Sequence, residues 1–188
     1  MKKISLAVLL LSGLLWSKHS LSQGDMKKEK TVEVGGAPMY ASKNIIDNAV
    51  QSKDHTTLVA AVKAAGLVET LQGKGPFTVF APTNMAFEKL PAGAVDNLLK
   101  PENKSQLTSI LTFHVVAGRL DIKELRKWIK KGNGKAGLTT VQGGKIWIME
   151  DDGMWWIMDE KGNKARITVS DVYQSNGVIH VIDTVLMP

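Results

Sequence analysis

From Ser42 onward the chain is patterned almost without interruption, and its first half carries a helical period. Ser42 stands where a cap belongs ahead of Ile45, Ile46, Ala49 and Val50, which share one helix face. Asp54 is placed to cap a second helix with Leu58, Ala61, Val62 and Ala65 at i, i+3, i+4 and i+7, and Gly66 follows at the C′ position. Leu67–Leu71 adds a turn or two before Gly73-Lys-Gly-Pro76 breaks the period. Phe77-Thr-Val-Phe80 is β-branched and aromatic, hence a strand, stopped by Pro82. Thr83 caps a helix carrying Phe87 and Leu90. Ala94–Leu99 is a short helix, and Glu102–Thr112 a longer one with Leu107, Ile110, Leu111 and then His114 on one stripe. Asp121 and Glu124 resemble a capping box ahead of Leu125, Trp128 and Ile129.

The second half changes period. Leu138–Gln142, Lys145–Met149, Met154–Asp159, Ala165–Ser170 and Gly177–Leu186 have strand length, with Glu150-Asp-Asp-Gly153 and Glu160-Lys-Gly-Asn163 as turns. Helices segregated from hairpin-connected strands predict an α+β domain. Phe80, Phe87, Leu107, Leu111, Ile179 and Val181 are its expected core. Residues 23–40, polar and then broken by Gly35, Gly36 and Pro38, read as a flexible N-terminal segment.

The beginning of the chain follows another logic. Met1-Lys2-Lys3 is positive, and Ile4 to Trp16 is an apolar run. A helix of that length rises roughly 20 Å, short of a hydrocarbon core of roughly 30 Å. Residues 1–22 therefore read as a secretory signal peptide, with Ser20 and Ser22 at −3 and −1 of a cleavage before Gln23. The expected mature protein is secreted, extracellular or periplasmic, with no transmembrane segment after cleavage. Removing Lys2, Lys3 and Lys18 takes the formal charge from +6 to +3. So mild an excess, without a basic cluster, argues against nucleic acid.

Candidate chemistry is sparse. The 188 residues include no Cys, which excludes disulfides, thiolate metal sites and a cysteine nucleophile. His55, His114 and His180 are far apart in sequence, and no H-E-x-x-H or G-x-S-x-G occurs. No catalytic residue, metal site or cofactor is expected. Gly132-Asn-Gly134-Lys-Ala-Gly137 matches G-x-G-x-x-G but follows a helix and precedes a strand, the reverse of a dinucleotide site. Asn103-Lys-Ser105 is a glycosylation sequon. The Trp-rich hairpin holds more interest. Ile146 and Ile148 face one way, Trp147 and Met149 the other, and Met154-Trp-Trp-Ile-Met158 is apolar on both faces. Either it is buried on both sides, the simpler reading, or one face is a contact surface. In the second case Trp147 and Trp155 are the candidates to stack on sugars or a protein partner.

Two segments carry a more specific signal. Thr78-Val-Phe-Ala-Pro-Thr-Asn-Met-Ala-Phe87 and Asn176-Gly-Val-Ile-His-Val-Ile-Asp-Thr-Val-Leu-Met-Pro188 resemble the two signatures of the fasciclin domain family. Leu111-Thr-Phe-His-Val-Val-Ala-Gly118 resembles its central segment, and the likeness spans about residues 41–188. The residues of these motifs read as structural. Thr78, Phe80, Pro82, Thr83 and Phe87 form a buried strand, its end and a capped helix; Asn176-Gly177 is a turn; His180 and Asp183 pin an apolar strand in register. The family's central pair is usually Tyr-His, a neighbourhood linked in animal members to integrin adhesion; here it is Phe113-His114, which keeps the ring and loses the hydroxyl. On the resemblance, Phe113 and His114 join Trp147 and Trp155 as candidate partner-binding residues.

The resemblance implies a single fasciclin-like domain, a wedge-shaped antiparallel β-sandwich with flanking α-helices. Signal peptide plus one domain is similar to the small secreted bacterial, beta-Ig-H3-type members. It implies a non-enzymatic role in cell adhesion or extracellular matrix, binding protein or polysaccharide. The alternative is a periplasmic small-molecule- or metal-binding sensor with a cleft near His114 or His180.

Overall fold

The computed structural model describes residues 29–188. The expected signal peptide, residues 1–22, and the first part of the segment expected to be flexible lie outside the described residues. Within them no helix is long and apolar enough to cross a membrane.

The described chain opens with a hairpin, β1 (Thr31–Val34) and β2 (Ala37–Tyr40), where a flexible segment was expected. Val34, Ala37 and Met39 point into the core, which anchors the hairpin. The Gly35-Gly36 pair is the turn, both glycines at positive φ. Helices follow: α1 (Ile45–Ala49), α2 (Thr56–Ala65) and α3 (Val68–Gln72). Asn44, not Ser42, caps α1, its side chain accepting the Asp47 N–H at 2.9 Å, while Ser42 bonds Glu29. Asp54 lies in a 3-10 turn, Lys53–His55, and gives α2 no side-chain cap. Gly66 ends α2 in the left-handed conformation, as its position required.

β3 (Phe77–Pro82) then enters the sheet, and Thr83 caps α4 (Asn84–Glu88) through the Ala86 N–H. The short helix α5 (Ala94–Leu98) leads to α6 (Lys104–Phe113). β4 (Val115–Ala117) follows, too short to show a period in the sequence. Asp121 caps α7 (Ile122–Lys131), accepting the Glu124 N–H at 2.9 Å. The glycine-rich 132–137 stretch connects α7 to β5 (Lys135–Thr139) and continues into it. The chain finishes with β6 (Lys145–Asp151), β7 (Met154–Met158), β8 (Lys164–Gln174) and β9 (Gly177–Ile182).

Among the described residues β3–β9 form one seven-stranded sheet in the order β4-β3-β9-β8-β7-β6-β5. A bridge between Val116 and Thr140 brings its two ends together, so the sheet is nearly closed and its halves face each other as layers. The sheet is not wholly antiparallel as expected: β3 and β9 run parallel, Phe77 opposite Gly177 through Pro82 opposite Ile182. Both strands are buried on both faces, the setting in which parallel pairs occur. The 11-residue β8 carries register shifts between Ile167 and Val172, with Asp171 at positive φ. Such irregularities bend a strand and let a sheet curl.

Two hydrophobic cores lie on the two sides of this sheet. Inside the curl, Phe80, Phe113, Leu125, Ile146, Ile148 and Ile182 pack together, closed at one end by α7. On the other side of β3 and β9, Val79, Ala81, Ile179 and Val181 meet the helices and the β1–β2 hairpin. All six residues expected in the core are buried.

Candidate functional site

The strand pairings decide which side of the Trp-rich hairpin faces out. Ile146 and Ile148 of β6, and Trp155 and Ile157 of β7, point into the closed sheet. Trp147 pairs with Met158, and Met149 with Trp156, on the opposite face, all four half-buried. The helices pack elsewhere: α7 lies against the inner core through Leu125 and Ile129, and the others cover β3 and β9. The outer face of β5–β8 therefore presents an apolar patch. Its flanks are cationic. Lys135 on β5 is opposite Met149, Arg166 on β8 opposite Trp156, and Lys164 opposite Met158. Gly137 lies beside Trp147, where an added Cβ would come 3.5 Å from the indole nitrogen.

This corrects one candidate. Trp155 is 9% exposed, and its ring faces the core with Arg126 5.3 Å above its centroid. Arg126 is held there by Glu150, 2.7 Å away, opposite Trp155 across the hairpin. Its neighbour Trp156 belongs to the outer face. Phe113 and His114 are corrected too, for both are buried and offer no contact surface. Phe113 packs so closely on Gly144 that a Cβ there would fall 2.7 Å from the ring.

The buried polar residues are occupied by structure. His114 Nδ1 donates to the Ile110 carbonyl at 2.8 Å, and Nε2 accepts the Leu186 N–H at 3.0 Å. Burial pushes its pKa down to about 4. His180 Nε2 donates to the Leu120 carbonyl at 2.9 Å, Nδ1 accepts the Asp171 N–H, and the ring stacks on Phe80 with centroids 5.7 Å apart. Burial lowers its pKa as well. Thr78 donates to the Gly118 carbonyl and accepts the Leu120 N–H, tying that loop to β3. Asn176 accepts the Ile45 N–H and donates to the Leu71 and Gly73 carbonyls. Asp183, just past β9, accepts the Arg166 N–H at 2.8 Å.

A buried cavity of about 80 Å³ lies beneath α1, α2 and α6, lined by Ile46, Leu58, Val62, Val79, Leu111 and His55. His55 Nδ1 meets Ser52 Oγ at 2.9 Å, while Nε2 has no partner among the described residues. Pockets that hold metabolites measure some 300–1,000 Å³. Among the described residues no three metal-ligating side chains converge.

The fasciclin domain model matches residues 53–188, most of the chain. The chain belongs to the fasciclin domain family. Protein sll1483 of Synechocystis sp. is 42% identical over 180 residues, covering 95% of this chain and 92% of that protein. Transforming growth factor-beta-induced protein ig-h3 of Sus scrofa is 38% identical over 132 residues, 70% of this chain and 17% of that one. Immunogenic protein MPB70 of Mycobacterium bovis is 38% identical over 138 residues, 71% of this chain and 63% of that one. A fasciclin domain pair from the insect cell adhesion molecule Fasciclin I shares the fold at TM-score 0.69 and 22% identity, over 78% of this chain and 51% of that one. In this fasciclin domain the two signature strands are the parallel neighbours β3 and β9.

Trp156, Met149, Met158 and the flanking cations were missed as site residues. One signal was available: three isoleucines, Ile146, Ile148 and Ile157, mark the inward face of β6 and β7. That leaves Trp156 on the side of Trp147.

Proposed function

We propose that this fasciclin-domain protein is a secreted, non-enzymatic interaction module that engages a protein or polysaccharide at a cell surface or in an extracellular matrix. The outer face of β5–β8, with Trp147, Met149, Trp156 and Met158 uncovered by any helix among the described residues, carries this reading. Large apolar side chains that neither pack inward nor meet another element cost free energy in water, and they mark docking surfaces. The kinship supports it: one relative's structure is described as a cell adhesion molecule. The sensor reading has less support, because the cavity is small, apolar and filled around by core side chains.

The test is attachment of the purified protein to isolated cell-envelope and matrix material. Trp147→Ala with Trp156→Ala should weaken attachment about tenfold or more, with a modest change in melting temperature. Undiminished attachment by the folded double variant would remove this face from the function.

A further inference from the structure

We infer that the occupant of the outer sheet face is an acidic polysaccharide, a deepening that rests on the reading of that face as the docking surface. Two rows of side chains cross the strands there. One runs Lys135, Met149, Trp156, Arg166; the other runs Gly137, Trp147, Met158, Lys164. Strands lie about 4.8 Å apart, so Lys135 and Arg166 stand about 14 Å from each other with Met149 and Trp156 between them. Sugar rings present flat C–H faces that stack on indole, and a uronic acid adds a carboxylate at the ring edge. The rows supply both partners on one face, aromatic surface in the middle and cations at the ends.

The strip continues past the sheet edge. Lys135 and Gly137 also border a shallow groove whose far wall is Trp128 and Lys131 of α7. Trp128 is 41% exposed. A third indole and another cation thus extend the same alternation beyond β5. Neither row contains an acid; Asp183, 3.9 Å from Arg166, lies beyond the end of the first, and Asp151, opposite Met154, stands in the next row on the same face.

Other classes of partner fit less well. Protein interfaces are depleted of lysine relative to the rest of the surface, whereas each row here ends in one, Lys135 in the first and Lys164 in the second. An amphipathic element sinks its apolar face about 5–10 Å into a lipid surface, and these four side chains are half-buried in the protein.

The experiment measures binding of the purified protein to soluble polymannuronate at physiological ionic strength. Neutral dextran, duplex DNA and phosphatidylglycerol–phosphatidylcholine vesicles are the comparison arms. Polymannuronate should bind and dextran should not. Trp156→Ala should weaken binding about tenfold, and Lys135→Glu with Lys164→Glu, at exposed positions that tolerate exchange, by as much again. Absence of polymannuronate binding overturns the inference, as do vesicles or DNA bound as tightly, or lysine variants that bind polymannuronate undiminished. Should the tryptophan variants lose envelope attachment while polymannuronate is never bound, the face remains a docking surface and only its ligand class falls. Should they change neither, both readings fall.

Discussion

His114 and His180 each sit between a carbonyl that accepts from one ring nitrogen and a backbone N–H that donates to the other. That arrangement suits only the neutral imidazole. A second ring proton would point at an N–H and would be buried without solvation. Burial accordingly lowers the pKa of His55, His114 and His180 in the fold, to about 4 for His114. Unfolded histidines take up protons near pH 6.5, so below that pH the unfolded chain binds more protons than the folded one. The stability is full above about pH 6.5 and is lost as pH falls toward about 4. His114 alone should account for a loss of about 3 kcal/mol. Melting temperatures measured from neutral to mildly acid pH should fall steadily across that window; a flat profile would contradict neutral burial. Trp155 and Trp156 show a second residue-scale contrast. Alternation in the sequence puts them on opposite faces, and the three isoleucines Ile146, Ile148 and Ile157 mark the inward side only weakly, because both faces of the hairpin are apolar. The pairing with β8, which places Ile167 opposite Trp155 and Arg166 opposite Trp156, is what separates them. Trp155→Ala should cost about 3–5 kcal/mol and Trp156→Ala clearly less. Equal losses in a denaturation series would mean the outer ring is core.

At the scale of elements, the join between β9 and its neighbours depends on two adjacent residues. Asn176 holds the start of α1 and the end of α3 through three hydrogen bonds. A Cβ on Gly177 would fall 2.2 Å from the Phe77 carbonyl oxygen, so the parallel strand can approach only with glycine there. Asn176→Ala leaves one donor and two acceptors without partners and should cost about 3 kcal/mol, at 1–3 kcal/mol for a buried unpaired group. Asn176→Asp should not rescue it, since a carboxylate cannot supply the two donated bonds. Urea midpoints of the two variants check this. Helices α2, α4 and α7 were legible because each pairs an apolar stripe with a cap or stop, Gly66, Thr83 and Asp121 all acting where they were read, and α6 from its stripe alone. The β1–β2 hairpin was not, although Gly35-Gly36 flanked by short alternating runs is a hairpin signal. Pro38 obscured it, yet proline is tolerated on a two-stranded edge. The full length of β8 was hidden for a different reason. Ser170-Asp171 looks like a strand end, and the irregular register there lets the strand continue through it.

The whole molecule is organised by one sheet with a core on each side, and the sheet is shared. Sequence alternation along β3 and β9 showed that both faces were apolar, but not that the strands run parallel. Their direction is set by the long excursion between them, which returns the chain to the same end of the sheet. Sharing the sheet has a thermodynamic consequence. Phe80 packs inside the curl, while Val79 and Ala81 on either side of it pack under the helices. Neither core can come apart without stripping the other from the same backbone, so the described domain should unfold in one step. Two probes watch opposite regions. Trp128, Trp147, Trp155 and Trp156 report on α7 and the β6–β7 hairpin, whereas far-UV circular dichroism is weighted toward the helices over β3 and β9. Their denaturation curves should coincide, in the native sequence and in variants of either core. Phe80→Ala inside the curl and Leu107→Ala beneath the helices should each cost on the order of 2–5 kcal/mol, displacing both curves together. A fluorescence transition that moves in Phe80→Ala while the dichroism transition stays in place would show two independently stable halves, and the shared sheet would not be what couples them.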